Sequence, residues 1–77
     1  MQPLESLAEV VRLSGLSMQT ISAKMNRSRS FVSMTIRNGG MPKVDTLASV
    51  AGICGYDLLL RKRDDGTEIV IDPPQQD

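Results

Sequence analysis

Four interruptions cut this chain before any long element can form. Gly15, Asn26, the run Asn38-Gly39-Gly40-Met41-Pro42 and Gly55 each break a helical pattern, and the segments between them are about a dozen residues or fewer. Such a chain can only build short elements packed on one another. The first segment, 3–14, places Leu4, Leu7, Val10, Val11 and Ser14 at three- and four-residue spacings, with Pro3 suited to a first turn and Gly15 to a stop. Ser17 reads as the N-cap of a second helix, 17–25, with Ile21, Met25 and, as a further choice, Ser22 facing inward. Asn tolerates a left-handed backbone better than other residues that carry a side chain, so Asn26-Arg27 reads as a tight turn. Ser28 then caps a third helix, 28–37, whose Phe31, Val32 and Ile36 face the core. Two short helices joined by so tight a turn form a helix-turn-helix. A fourth helix, 43–54, buries Val44, Leu47, Ala48, Val50, Ala51 and Cys54.

After Gly55 the apolar period changes from about 3.6 to 2, and a hairpin over 56–72 is expected around Asp64-Asp65-Gly66. A two-residue Asp65-Gly66 loop pairs Leu60 with Ile71, Arg61 with Val70, Lys62 with Ile69 and Arg63 with Glu68. That register puts Leu58, Leu60, Ile69 and Ile71 on one face, whereas a three-residue loop mixes the faces. An isolated hairpin is marginal, and the remaining edge carries Leu59 and Val70. Pairing with the hairpin of a second chain through Leu58, Leu59, Leu60, Ile69, Val70 and Ile71 answers both problems. The end, 73–77, reads as a frayed tail. The expected class is therefore mainly α: four helices in a helix-turn-helix domain, followed by a C-terminal β-hairpin, within one domain of 77 residues.

Composition narrows the chemistry. A single cysteine excludes an internal disulfide and suits a reducing cytoplasm, and with no histidine neither a metal cage nor a Cys/His nucleophile pair is available. No enzyme, metal or cofactor is expected. No apolar run reaches the roughly 20 residues that cross a bilayer, and no stretch reads as a signal peptide. The formal net charge is zero, yet the charges are segregated. From Lys24 to Lys43 the ionisable residues are Lys24, Arg27, Arg29, Arg37 and Lys43, while the last fourteen residues carry Asp64, Asp65, Glu68, Asp72 and Asp77 and no base. A local basic patch steers a polyanion even when distant acids cancel it in the sum. Arg61-Lys62-Arg63 is read as a solubilising edge, Cys54 as a small buried hydrophobe, and Asp64 and Asp65 as turn formers.

Residues 16 to 51 resemble the Cro/repressor-type (XRE) helix-turn-helix family, through Ser28-Arg29-Ser30, Val32-Ser33 and Pro42 to Thr46-Leu47, ending at Val50-Ala51, without a gap. Four positions depart from the family pattern: Met18 stands where glutamine is usual, Ser22 for a small alanine, Asn26 for the turn glycine, and Thr35 for a large aliphatic. The resemblance implies a lambda-repressor-like fold and a dimeric regulator, most simply a repressor, that binds double-stranded DNA at a two-fold operator with the third helix in the major groove. Carried over by position, Arg29, Ser30 and Met34 are base readers, and Ser28, Ser33, Arg37 and Lys43 lie near the backbone; Gln19, Arg27 and Asn38 complete the expected surface. Arg29 has the fork for guanine O6 and N7, Met34 an apolar end for a thymine methyl, and the second helix has free N–H groups for a phosphate. A competing reading is an antitoxin-like autoregulator whose hairpin or tail binds a toxin-like protein.

Overall fold

The structure is a computed structural model of the chain and describes residues 1–74. Four helices, α1 (Pro3–Ser14), α2 (Met18–Lys24), α3 (Phe31–Asn38) and α4 (Val44–Ile53), precede an antiparallel hairpin of β1 (Leu58–Arg61) and β2 (Glu68–Ile71). Pro3 opens α1, and Gly15 closes it in the left-handed conformation at φ 74°. On the outer surface of α1 the Glu9 carboxylate accepts from Arg12 Nε at 3.0 Å, which holds the Glu9 carboxyl below its usual value. Ser17 caps α2 by accepting the Thr20 N–H at 3.0 Å. Asn26 takes φ 58°, the only positive φ outside glycine among the described residues, and this sharp reversal turns α2 into α3.

The core is built by one or two aliphatic residues from each helix: Leu7 and Val11, Ile21, Val32 and Val50, with Met25 at the end of α2. Each such side chain contributes roughly 1.5–3 kcal/mol by burial. Phe31, Ile36, Leu47, Ile53 and Cys54 close the rim. The small residues Ala48, Ser49 and Ala51 are also buried on α4, where they allow close approach. Val44, expected inside, is 60% exposed, because it is the first residue of α4 and precedes the turn that meets the core.

Two further expectations need correction at α3. The helix starts at Phe31 rather than 28, after a turn in which the Phe31 N–H donates to the Ser28 carbonyl at 3.0 Å. Ser28 is not its cap. The cap comes from the previous helix: Ser22, fully buried, accepts the Val32 N–H on its hydroxyl at 3.1 Å and donates to the Met18 carbonyl at 2.7 Å. A buried N–H left without a partner is costly, so this one hydroxyl fixes α3 on α2.

The hairpin forms with a different loop. Leu58 pairs with Ile71, Leu59 with Val70, Leu60 with Ile69 and Arg61 with Glu68, two residues away from the expected register. A two-residue type I′ loop requires φ > 0 at both Asp65 and Gly66, and only Gly66 has it, at 78°. Instead the Lys62 N–H donates to the Thr67 carbonyl at 2.8 Å, the Gly66 N–H to the Lys62 carbonyl at 2.9 Å, and the Thr67 N–H to Asp65 Oδ1 at 2.9 Å. Residues 63–66 form the loop. Because the shift is even, Leu58, Leu60, Ile69 and Ile71 still share a face, and Arg61 takes the place of Arg63 opposite Glu68.

β1 packs on α4, which half-buries Leu58, Leu59 and Ile71 at the base of the hairpin. Leu60 and Ile69, a cross-strand pair further out, are 61% and 65% exposed, and Val70 on the other face is also exposed. Pro73 and Pro74, the first residues of the expected tail, are exposed and line a concavity with Lys24, Ser49, Gly52 and Ile53. The expected tail beyond them, 75–77, lies outside the described residues. Among the described residues no helix is long and apolar enough to cross a membrane.

Candidate nucleic-acid interface

The Ser22 tie decides which side of α3 faces out. With Val32 pinned inward and Phe31 and Ile36 on the core rim, residues spaced three and four apart on the opposite side, Ser30, Ser33, Met34 and Arg37, form one outward stripe. The Ser30 carbonyl accepts the Met34 N–H at 2.8 Å and the Ser33 hydroxyl at 3.0 Å, so two hydrogen bonds close the first turn under this stripe. Ser33 thereby commits its hydroxyl proton to its own helix and faces a ligand as an acceptor. Arg37, at the last turn, is exposed and near the negative end of the helix dipole. Asn38 ends the helix, and Gly39 follows at φ 70° in a conformation that glycine enters at least cost.

Beside the stripe runs a groove of about 560 Å³ lined by Ser17, Met18, Gln19, Arg29, Ser30 and Ser33. Four of the expected contact residues, Gln19, Arg29, Ser30 and Ser33, therefore meet in one concavity between the start of α2 and the turn into α3. Ser17 and Met18 join them without having been expected there. Ser17 carries a signal that reveals it, since an N-cap must stand at the helix mouth. Ser28 and Arg29 are exposed in the turn ahead of α3 rather than on the helix itself.

Arg27 and Lys43 lie apart from that groove. They line a second concavity with Phe31, Thr35, Met41, Pro42, Asp45 and Thr46, and the Arg27 guanidinium stacks over the Phe31 ring at 4.9 Å from its centroid. This stacking holds Arg27 at the surface as a positioned cation. Asp45 places a carboxylate in the same concavity, where it accepts the Thr46 N–H at 2.7 Å, so the two cations are partly offset there. Lys24, the fifth base of the acid-free segment, faces the Pro73-Pro74 concavity instead. Arg27, Arg29, Arg37 and Lys43 thus surround α3 with Asp45 as the acid among them, while Arg61, Lys62 and Arg63 lie with Asp64, Asp65 and Glu68 on the hairpin.

No protein-family model, curated protein or solved structure matches the chain.

Proposed function

We propose that this chain is a sequence-specific regulator of transcription, of the Cro/repressor type, that binds double-stranded DNA in the cytoplasm as a homodimer and acts as a repressor. The observation that carries the reading is the solvent-facing stripe Ser30, Ser33, Met34 and Arg37 on a short helix that a buried hydroxyl locks to its predecessor, beside a groove holding Gln19 and Arg29. Such a helix presents donors, acceptors and an apolar end at a size that fits a major groove about 12 Å wide. Arg27, Arg37 and Lys43 serve the phosphates, and Arg29 with Ser30 serves base edges. No catalytic step and no cofactor enter this account. One helix touches only a few base pairs, so the second copy is needed for specificity. Pairing of the hairpins through Leu60, Ile69 and Val70 supplies that copy, and half-sites then lie about 34 Å apart on one face of the duplex.

Selection from a random duplex pool tests the reading. The expected product is an enriched two-fold sequence whose affinity falls steeply with salt. Failure to enrich any palindrome, together with no binding to bulk DNA at low salt, overturns it.

A further inference from the structure

Met18 and Met34 both reach the surface, at 38% and 44% exposure, and neither belongs to the buried core cluster or to the partly buried residues packed against it. Met18 is also more than an exposed residue at a helix start. Its carbonyl accepts from the Ser22 hydroxyl at 2.7 Å, and that hydroxyl accepts the Val32 N–H at 3.1 Å, so two hydrogen bonds hold the Met18 backbone in fixed relation to α3. Its side chain lines the groove that contains Arg29, Ser30 and Ser33. Met34 stands on the α3 stripe one residue beyond Ser33. One thioether thus lies in the groove with the polar groups of the candidate base-reading surface, and the other stands on the exposed side of α3 next to Ser33 in sequence.

A methionine side chain has no strong hydrogen-bond donor or acceptor to offer a phosphate or a base edge. The apolar feature that the major groove of unmodified DNA presents is the 5-methyl group of thymine. The charged side chains of this face, Arg29 in the groove and Arg37 on the α3 stripe, are both basic, which favours a polyanion over an apolar protein partner as its occupant. Resting on the DNA-binding reading above, we propose that Met18 is a specificity-determining residue that, together with Met34, reads pyrimidine 5-methyl groups. The preferred half-site accordingly carries thymine at two places, one facing each methionine, around the base pair that Arg29 contacts.

The test uses the full chain and the duplex enriched from the random pool, synthesised with deoxyuridine replacing thymidine one position at a time. Removing a contacted methyl should weaken binding about fourfold, the value expected from burying one methyl-sized apolar group. The Met18→Gln variant should lose this sensitivity at one thymine position and keep it at the other, Met34→Gln should show the converse, and Met18→Leu should retain both. Both methionines are exposed, so thermal melts of these variants should match the parent. A deoxyuridine penalty that persists unchanged in Met18→Gln, or equal affinity for the fully deoxyuridine-substituted duplex, overturns the assignment while leaving DNA binding intact. Absence of binding to any duplex overturns the DNA-binding reading with it, so the two failures are told apart.

Discussion

The α2–α3 pair and the C-terminal hairpin settle their exposed groups in opposite ways. In the helix pair Ile21, Met25 and Val32 are buried and Ile36 packs on the rim, the turn residue Asn26 takes a left-handed φ of 58°, and the buried Ser22 hydroxyl both donates and accepts. In the hairpin only the base is covered, by α4, while Leu60, Ile69 and Val70 remain in solvent on a two-stranded sheet with unpaired edges. Isolated two-stranded hairpins are marginal in water, and exposed apolar edges invite pairing. The helices thus cover their apolar groups within one copy, whereas the hairpin leaves apolar groups that the proposed pairing with a second copy would cover.

Core truncation on the two sides should give the widest separation. Ile21→Ala, at a fully buried site, is expected to cost about 2–5 kcal/mol in chemical denaturation. Ile69→Lys, by contrast, should leave the unfolding free energy of the single copy within about 0.5 kcal/mol, as exposed sites usually do. It should nevertheless weaken self-association about tenfold or more, equivalent to about 1.4 kcal/mol. Sedimentation of parent and variant at micromolar concentration reads this directly, and a parent that is monomeric there breaks the proposed strand pairing.

Ser22→Ala sharpens the helical side of the comparison. It strands the buried Val32 N–H, and the expected cost is about 1–3 kcal/mol. A melt indistinguishable from the parent would show that the Ser22 tie contributes nothing to how α3 is held. At the surface, Arg29→Ala should cost about 1–3 kcal/mol on the selected duplex and relax one base preference, whereas Lys43→Ala should weaken all duplexes alike and lower the salt slope by about 1. Equal effects of Arg29→Ala on selected and random DNA would remove Arg29 from the readers.

The smallest effect belongs to the hairpin turn. The Thr67 N–H bonded to Asp65 holds that carboxyl below its usual value. A depressed native pKa means that the stabilisation is present above the ordinary carboxylate range and is lost as pH falls through the lowered value. Following the Asp65 carboxyl and the Thr67 amide by NMR should show both titrating together below the model-peptide range. A normal Asp65 titration would break the turn assignment.

Much of this was legible in the residues because it depends on local chemistry. Pro3 and Gly15 bracket α1 as they stand, Ser17 caps α2, and Asn26 marks the turn. The misreadings arise where one element determines another. Ser28 and Ser30 carry similar cap signals, and only the packing of α2 on α3 shows that Ser22 does the capping ten positions earlier. In the hairpin the Asp-Gly signal gives a turn, but the Asp65 contact with Thr67 makes the loop longer by two residues. That change preserves parity, which is why the faces were right and the partners wrong. Within the candidate interface, the polar and basic members announced themselves by type and position; the motif position of Met18 pointed to exposure, but a thioether in place of the usual glutamine gave no hydrogen-bonding group by which to count it among the contacts.

On the proposed reading, the outward side of α3 and the groove beside it form the surface that meets DNA. Backbone amide chemical shifts of the full chain, followed by NMR as the selected duplex is titrated in, test it residue by residue. The largest changes are expected at Met18 and Gln19, at Ser28 to Met34, and at Arg37 and Lys43, with the core amides of α1 little moved. Changes confined to the hairpin, or spread without regard to the α3 stripe, would contradict it.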